Sequence, residues 1–368
     1  MNAGPPFRAE HIGSLLRPPE LKEARRRFEA GEATAQELRA VEDRCIENAV
    51  RLQEQVGLQP ITDGEYRRSI YFGHFPAAVS GFTEMEAELE FTDDAGRRLT
   101  YTTPVVTGEL RRLRGIATDE FSYVRKLTRR TPKVTLPSPC SQHFFRWREG
   151  VSEKAYPRLD DFLADVAAVY REELRELGEL GATYVQLDDV SLPMLCDAKA
   201  RERFRKRGYD PSAILGTYIE VVNESIRARP PGMVVGIHMC RGNNQGRWLG
   251  EGGYDFVAEQ VFHQLDVDVF FLEYDSPRAG NFGPLRYMPG DKRVVLGLVT
   301  TKRPDLERAD DLKRRIEEAS VHVPMELLGI SPQCGFASTA PGNPLTAADQ
   351  TAKLRLVCQV AEEVWPAA

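Results

Sequence analysis

Short apolar runs alternate with longer stretches of helical periodicity along most of the chain. Nine runs rich in apolar or β-branched residues end in polar residues: FRAEHIGS, QPITDGEY, TPVVTGEL, PKVTLPSP, TYVQLDDV, MVVGIHMC, DVFFLEYD, RVVLGLVTTK and LLGISPQCG. Between many of them the apolar residues fall at helical spacing, most clearly in residues 157–181, 211–228, 305–322 and 346–364. A strand followed by a helix, repeated along the chain, predicts parallel strands joined by helical crossovers.

The position of the polar residues favours a barrel over an open sheet. The predicted strands are nearly continuous apolar runs, as expected for strands buried on both faces, and their polar residues come at the carboxyl ends. A (β/α)8 barrel has its active site at this end of its strands. A doubly wound sheet fits the same alternation, but its G-x-G-x-x-G motif follows none of the runs. We therefore predict an α/β protein with a TIM-barrel fold.

Two segments fall outside the eight-strand repeat. Residues 18–57 have helical spacing with a break near Gly31, which predicts an N-terminal helical extension. One of the nine runs is surplus for a barrel, and it falls within residues 82–110, where a turn at Asp94-Ala95-Gly96 predicts a β-hairpin insertion. We interpret residues 1–368 as one catalytic barrel domain with these two additions.

The charged residues exclude two classes of partner. Lysine and arginine number 49 against 55 aspartate and glutamate residues, a formal charge of −6, and the two signs are interspersed. No basic patch therefore predicts binding to nucleic acid or to an anionic membrane. The first residues do not resemble a signal peptide, and no apolar stretch approaches the roughly 20 residues of a transmembrane helix. We predict a cytoplasmic protein with small-molecule partners, and a homo-oligomer is compatible with the sequence.

The carboxyl ends of the predicted strands bring together residue types that bind metals. They supply Ser14, Asp63, Glu65, Asp188, Asp189, His238, Cys240, Glu273, Asp275, Thr300, Thr301, Lys302 and Cys334. In a single barrel these residues converge on one face, and they include two thiols and one imidazole, which zinc prefers as ligands. His238 and Cys240 point to the same side of a strand because side chains repeat every two residues.

Two interpretations of His238 and Cys240 compete. Cysteine is often a small buried core residue and histidine a hydrogen-bonded one, so the H-x-C pair alone is weak support for a metal site. A second thiol, Cys334 in SPQCGF, again follows an apolar run and favours the metal. The ligands lie on separate strands instead of in a close C-x2-C pair, which indicates a catalytic site. Glu273 is predicted as the fourth ligand, because a carboxylate can give way to a thiol whose pKa zinc lowers.

Motifs at these strand ends match a known family. Seven strings in the right order, HIGSLLRP, TDGEYRR, YVQLDDVSLPML, IHMCRGN, FFLEYD, GLVTTK and SPQCGFAST, resemble the cobalamin-independent methionine synthases, specifically short members similar to the C-terminal catalytic half. The resemblance implies a zinc-dependent barrel whose metal ligands are His238, Cys240, Glu273 and Cys334. It also implies that Glu65 and Asp188 hold the amino group of homocysteine and that Ser14 lies near its carboxylate.

The sequence departs from the family where the methyl donor reacts. In full-length members the strand matching GLVTTK carries a histidine thought to protonate the leaving folate nitrogen, whereas this chain has Thr300 or Thr301 there, with Lys302 nearby. We therefore interpret Glu273, Thr301 and Lys302 as the catalytic candidates.

Asp189 and Arg241 complete the predicted substrate-binding residues. Asp189 directly follows Asp188 at the end of its run, and Arg241 directly follows Cys240. Arg241 pairs either with an anionic part of a substrate or with a neighbouring carboxylate, and the sequence does not choose between the two.

The predicted function is transfer of an alkyl group, preferably methyl, to a thiol activated by zinc. The preferred acceptor is homocysteine, the product methionine, and the donor methyltetrahydrofolate or a similar compound. An epoxyalkane:coenzyme M transferase keeps the zinc chemistry but needs cationic residues for a sulfonate. A lyase of the uroporphyrinogen decarboxylase type needs no metal, and the two thiols count against it. A non-catalytic zinc or amino-acid binding protein is the third alternative.

Overall fold

A parallel sheet with helical crossovers carries the predicted site residues. The computed structural model describes residues 4–87, 91–92, 96, 98–100 and 102–366. Its strands are β1 (Pro60–Ile61), β2 (Val79–Glu86), β3 (Phe91–Thr92), β4 (Arg98–Leu99), β5 (Thr102–Arg112), β6 (Thr131–Pro132), β7 (Val134–Pro137), β8 (Tyr184–Asp189), β9 (Val234–Met239), β10 (Val269–Glu273), β11 (Arg293–Val299) and β12 (Leu328–Pro332). Strands β7 to β12 form a six-stranded sheet in chain order, and all neighbouring pairs are parallel. The predicted α/β fold with a parallel sheet is confirmed.

Helices cover the sheet and connect its strands. They are α1 (Pro19–Glu29), α2 (Ala35–Gln55), α3 (His74–Ala78), α4 (Thr118–Leu127), α5 (Ser141–Arg146), α6 (Leu159–Glu179), α7 (Ser191–Met194), α8 (Ala198–Lys206), α9 (Pro211–Ile226), α10 (Ala258–Gln264), α11 (Ala309–Ser320) and α12 (Ala347–Val364). Helices α6, α9, α11 and α12 lie where the helical spacing predicted them. Among the helices of the described residues, none has the length and apolar character needed to cross a membrane.

Helices α1 and α2 fall within the predicted N-terminal extension, residues 18–57. Helix α2 begins at a capping box, in which the Thr34 hydroxyl accepts the Glu37 N–H and the Glu37 carboxylate accepts the Thr34 N–H. The buried faces of the two helices share a core with α12, through Leu21, Ile46 and Leu354. The extension is therefore packed against the last helix of the chain.

The first two predicted strands are shorter than the sequence indicated. In FRAEHIGS only Ala9 forms a bridge, parallel to Ile330 of β12, and QPITDGEY contains only the two-residue β1. Strand β1 pairs with β6, so the strands of the described residues do not form one continuous eight-stranded sheet. The physical reason in the first segment is Gly13, whose φ of 136° departs from the extended conformation that a continuous ladder needs.

The surplus run TPVVTGEL belongs to an antiparallel pair outside the parallel sheet. Strand β5 pairs with β2, and β3 pairs with β4, where the sequence placed the insertion of residues 82–110. In the predicted turn, Asp94 and Ala95 lie outside the described residues. The division into one catalytic domain with two additions stays a prediction.

A buried ion pair ties the N-terminal segment to the sheet. Lys133 Nζ lies 3.0 Å from Glu10 Oε2, and both side chains are fully buried. The Tyr184 hydroxyl donates to the other Glu10 oxygen at 2.7 Å, and the Lys133 ammonium lies 4.9 Å from the centre of the Phe271 ring. Loss of either partner would leave the other charge in apolar surroundings.

We expect Lys133→Met to lower the free energy of unfolding by about 3–5 kcal/mol, the usual effect of breaking a buried ion pair. The double variant Glu10→Gln/Lys133→Met leaves no uncompensated charge and should recover most of this loss. Urea denaturation followed by circular dichroism measures both. A loss below about 1 kcal/mol for Lys133→Met, as for a surface pair, would show that this pair does not hold the segment.

Candidate metal centre and active site

The ends of β9 and β12 bring together one imidazole and two thiols. His238 lies in β9, Cys240 directly follows that strand, and Cys334 follows β12 by two residues. The ligand atoms of these three buried residues lie within 4.8 Å of one another, and the two Sγ atoms are 3.4 Å apart. One metal ion can therefore contact all three residues, which we call the HCC cluster.

The HCC cluster fits zinc in its chemistry as well as in its distances. Thiolate sulfur and imidazole nitrogen are the ligands that zinc prefers. Both ring nitrogens of His238 are buried and form no well-aligned hydrogen bond with any described residue. A buried polar group without such a bond is unfavourable, and coordination of a metal would satisfy it.

Charges within the HCC cluster favour one thiolate. The hydrogen bond with Cys240, together with contact with His238, lowers the pKa of Cys334 well below its usual range. The same hydrogen bond and burial raise the pKa of Cys240. Burial opposes protonation of His238, but the Cys334 sulfur and the Asp188 and Glu273 carboxylates outweigh burial and raise the pKa of the imidazole. These directions favour the thiolate form of Cys334, which would attract a cation.

Glu273, the predicted fourth ligand, lies beside the cluster with partners of its own. It ends β10, the strand that pairs with β9. Its Oε2 accepts the Arg241 N–H at 3.0 Å, and its Oε1 accepts from Arg278 at 2.8 Å. Burial alone would raise the pKa of Glu273, but the positive charges of Lys302, Arg241 and Arg278 lower it to about 2. Glu273 is therefore a carboxylate at neutral pH, and its roles as ligand and catalytic residue stay predictions.

Thr301 and Lys302, the other catalytic candidates, face protein groups next to the cluster. The Thr301 hydroxyl donates to Gln333 Oε1 at 2.6 Å. Lys302 Nζ lies 3.5 Å from the Gly242 oxygen, and its charge lowers the pKa of Cys334. Both side chains are buried, and the contacts described for them are with the protein. Their catalytic roles stay predictions.

Arg241 and Asp189, two predicted substrate-binding residues, make structural contacts. The buried Arg241 guanidinium donates to the Tyr254 hydroxyl at 3.1 Å and lies 4.3 Å from the centre of that ring. Asp189 accepts the Leu192 N–H and the Cys140 thiol, at 2.7 and 2.8 Å. These contacts occupy both Asp189 oxygens, whereas Arg241 Nη2 is buried without a hydrogen-bond partner among the described residues. The substrate contacts of both residues stay predictions.

A cavity opens onto the HCC cluster. Seven predicted site residues line it: Ser14, Glu65, Asp188, Asp189, His238, Cys240 and Cys334. The larger apolar side chains of the lining are Ile12, Ile70, Tyr71, Phe72, Phe145, Val190 and Leu249. None of the described residues that line the cavity is a lysine or an arginine. The cavity therefore presents thiols, carboxylates and aromatic rings to a ligand.

Glu65 and Asp188 place two carboxylates in this cavity. Glu65 Oε1 accepts the Thr135 hydroxyl at 3.0 Å, whereas Glu65 Oε2 is buried and has no hydrogen-bond partner among the described residues. Asp188 Oδ1 accepts from Gln186 at 2.7 Å. Burial raises the pKa of Asp188 to about 7, with a further contribution from the negative charge of Glu65 and against the effect of His238. A bound cation would stabilise the charged form of Asp188 and so lower its pKa.

Ser14 is held against the turn that carries Cys334. The Ser14 oxygen accepts the Phe336 N–H at 3.0 Å. A Cβ atom on Gly335 would meet Ser14 Oγ at 1.9 Å, so this position requires glycine. The glycine after Cys334 thus brings the predicted carboxylate-binding residue next to the HCC cluster.

The loop that lines one side of the cavity was not predicted from the sequence. Ile70, Tyr71 and Phe72, in SIYFGH, belong to it. The Tyr71 N–H donates to the Ser338 oxygen at 2.8 Å, which ties this loop to the loop after β12. A signal was available, because these residues directly follow the motif TDGEYRR that supplies Glu65.

Comparison with known proteins defines the family. A family model described as the catalytic domain of cobalamin-independent synthase matches residues 7–363. The chain therefore belongs to the cobalamin-independent methionine synthase family, as its motifs predicted.

Similar proteins cover almost the whole chain. The uncharacterized protein YxjH of Bacillus subtilis (strain 168) is 39% identical over 362 residues, which are 98% of this chain and 95% of that protein. A solved structure from Listeria monocytogenes is 33% identical, with a TM-score of 0.75 over 98% of this chain and 99% of that one. A B12-independent methionine synthase from Shewanella sp. W3-18-1, solved in complex with selenomethionine, has a TM-score of 0.74 over 97% of both chains. At 18% sequence identity, this structural similarity shows only that the two chains share a fold.

Proposed function

We propose that the protein is a zinc-dependent methyltransferase that methylates homocysteine to methionine. The observation that carries the proposal is the cavity joining the HCC cluster to the carboxylates of Glu65 and Asp188. A ligand with a thiol and an ammonium group can place the thiol at the HCC cluster and the ammonium at the two carboxylates. Membership in the family supports the same reaction class.

The HCC cluster is the proposed zinc site, with Glu273 as fourth ligand. Zinc bound there would lower the pKa of the substrate thiol, which makes sulfur nucleophilic at neutral pH. Glu273 can give way to the thiol because the Arg241 N–H and the Arg278 guanidinium already accompany its charge. The thiol would lose its proton to solvent, and its sulfur would form a bond to the methyl carbon as the carbon–nitrogen bond of the donor breaks, with the electron pair of that bond staying on the nitrogen.

The proposed acceptor is held by its charged ends. Glu65 Oε2 and Asp188 would pair with the ammonium, and Ser14 would lie near the carboxylate. The sulfonate of coenzyme M fits this cavity less well, because none of the described residues lining it offers a guanidinium or an ammonium group. The lining therefore favours an amino acid as acceptor.

The proposed donor is methyltetrahydrofolate or a similar compound. Its leaving nitrogen needs a proton, and Lys302 is the proposed source because the Thr301 hydroxyl is engaged with Gln333. Lys302 Nζ has only a long contact, 3.5 Å, with the Gly242 oxygen.

We also infer that the parallel sheet closes into a (β/α)8 barrel. Only Lys133 separates β6 from β7, so β1 extends the six-stranded sheet at one edge. At the other edge Ala9 bridges to β12, and further along the same segment the Leu15 N–H donates to the Gly64 oxygen at 3.0 Å. The segment from Ala9 to Leu15 therefore lies between the two edges and would supply the eighth strand.

Methionine formation tests the proposed function. Zinc-loaded protein would be incubated with homocysteine and methyltetrahydrofolate carrying one or several glutamates, and the product measured by mass spectrometry. We expect methionine, and none from Cys240→Ser. A thioether formed from coenzyme M and an epoxide, without any methionine, would contradict the proposal and favour the coenzyme M alternative.

The affinity for homocysteine should fall as the pH drops through about 7. The pKa of Asp188 is raised to about 7, so its carboxylate is charged above that pH and neutral below it, while the substrate ammonium stays charged. We expect binding to weaken by about tenfold for each pH unit below the pKa, as measured by calorimetry. The control is 4-mercaptobutanoate, which lacks the amino group. If both ligands show the same pH dependence, Asp188 does not bind the ammonium.

A further inference from the structure

Glu65 is held in an unusual backbone conformation beside the cavity. Its φ of 59° is in the left-handed region, which is unfavourable for a residue with a side chain. Three contacts hold this conformation: Asp63 Oδ1 accepts the Glu65 N–H at 2.8 Å, and the Glu65 main-chain oxygen accepts from Arg17 at 2.9 Å and from the Arg68 N–H at 3.1 Å. The backbone is therefore fixed where its carboxylate reaches the cavity.

The Glu65 side chain is fixed through only one of its oxygens. Thr135 donates its hydroxyl hydrogen to Glu65 Oε1 at 3.0 Å, and Arg68 Nη1 donates to the Thr135 hydroxyl at 3.0 Å. Arg68 Nη1 also lies 3.6 Å from Glu65 Oε1. The buried Oε2 has no hydrogen-bond partner among the described residues. One oxygen is thus anchored, and the other is left for a ligand.

Arg68 is itself held by a second carboxylate. Its Nε donates to both oxygens of Glu120 at 3.1 Å, its Nη2 pairs with the same carboxylate, and Nη2 donates to the Thr135 main-chain oxygen at 3.1 Å. The Arg68 side chain is only 2% exposed. Because Glu120 shares the charge of Arg68, the guanidinium neutralises Glu65 only in part.

Carboxylates outnumber guanidinium groups around Glu65. Three carboxylates, of Asp63, Glu65 and Glu120, face the two guanidinium groups of Arg17 and Arg68. Burial raises the pKa of Glu65 and raises that of Glu120 to about 7, and one Glu65 oxygen has no partner among the described residues, so a cation at that oxygen would favour the ionised carboxylates. A ligand with one positive charge, such as an ammonium, complements this arrangement.

We infer that Arg68, acting through Thr135 and anchored by Glu120, is the positioning residue that aims Glu65 Oε2 at the amino group of the acceptor thiol. The inference rests on the proposed function and adds to it the source of selectivity for an amino-acid thiol. Arg68 does not touch the substrate, so its effect must come through the Glu65 carboxylate.

The test compares two thiols on two arginine variants. Homocysteine and 4-mercaptobutanoate differ only by the amino group, and calorimetry on zinc-loaded protein measures the affinity of each. We expect Arg68→Met to weaken the binding of homocysteine by about 10- to 100-fold, the usual effect of removing a residue that orients a ligating group. The affinity for 4-mercaptobutanoate should change little. Arg68→Lys should recover part of the loss.

The matched control is Arg112→Met. Arg112 is also a buried arginine, 8% exposed, paired with Glu173 at 2.7 Å and with Glu176, and it does not line the cavity. It should lower stability without changing either affinity. If Arg68→Met does not fold, Thr135→Val removes the hydroxyl between Arg68 and Glu65 and should give the same selective loss.

If the variants at position 68 or 135 weaken the binding of both thiols equally, the positioning role is overturned. A general structural effect would not depend on the amino group of the ligand. Unchanged homocysteine affinity would overturn the positioning role as well. A wild-type protein that binds the two thiols equally would overturn the proposed acceptor, and the inference with it. The wild-type comparison thus separates failure of the proposed function from failure of the role of Arg68.

Discussion

Replacing Cys240 or Cys334 by serine is expected to remove zinc and to reduce methyl transfer by more than about 100-fold. This loss is larger than the one seen when a residue that hydrogen-bonds to a metal ligand is changed. The two sulfurs lie 3.4 Å apart in the HCC cluster, so each contributes to the same site. A serine hydroxyl does not ionise at neutral pH and is a poor ligand for zinc. Elemental analysis after dialysis measures the bound metal.

The fold should survive these substitutions. The serine variants change the side chain by one atom, and both cysteines line the cavity as well as contacting the apolar core. We expect the free energy of unfolding of the metal-free protein to change by about 1 kcal/mol or less. Cys45→Ser in α2, a buried thiol that does not line the cavity, is the matched control and should retain zinc. Stoichiometric zinc in Cys240→Ser or Cys334→Ser would show that the cluster is not the metal site.

Replacing Asp188 by asparagine, or Glu65 by glutamine, should weaken homocysteine binding by about 10- to 100-fold, because each change removes one charge-assisted hydrogen bond to the ammonium. Neither variant should lose zinc, since neither residue belongs to the HCC cluster. The substitutions keep the shape of the side chain, remove the charge and replace one acceptor oxygen by an NH2 donor. Calorimetry gives the affinity, and elemental analysis the metal content.

A buried carboxylate elsewhere provides the control for these charge changes. Asp197 is 6% exposed and caps α8 by accepting the Lys199 and Ala200 N–H groups. Asp197→Asn should reduce stability but leave homocysteine affinity unchanged. If Asp188→Asn and Glu65→Gln bind homocysteine as well as the wild type, the acceptor is not an amino-acid thiol.

The three HCC residues were predictable because local sequence placed each of them. Two apolar runs identified β9 and β12, and the polar residues that end these strands are His238, Cys240 and Cys334. Parallel strands in one sheet bring their carboxyl ends to the same edge, although the two cysteines are 94 residues apart. Burial on both faces makes such strands conspicuous in sequence.

The residues that support the site were not predictable in the same way. Arg68 contacts Glu120 and Thr135 across 52 and 67 residues, and Arg278 contacts Glu273 from the short 3₁₀ helix Pro277–Ala279. Charged residues of this kind are common on exposed surfaces, so their type does not indicate burial or partner. Only the folded chain shows which of them are paired.

The strands at the edges of the sheet were also only partly predictable from the sequence. The apolar run FRAEHIGS predicted a full strand, but Gly13 departs from the extended conformation and leaves a single bridge at Ala9. Strand β1 has only two residues, before the turn at Gly64. Apolar composition indicated that these segments are buried, whereas the extent of their hydrogen bonding depended on local backbone geometry.

The most direct test of the central claim is X-ray absorption at the zinc edge, on the same zinc-loaded sample with and without homocysteine. The proposed site contains two protein sulfurs, from Cys240 and Cys334. We predict two sulfur neighbours of zinc in the free protein and three after homocysteine is added, since the substrate thiol joins the site. Two sulfurs that do not change at saturating homocysteine, or a protein that binds no zinc, would contradict the proposal that zinc activates this thiol.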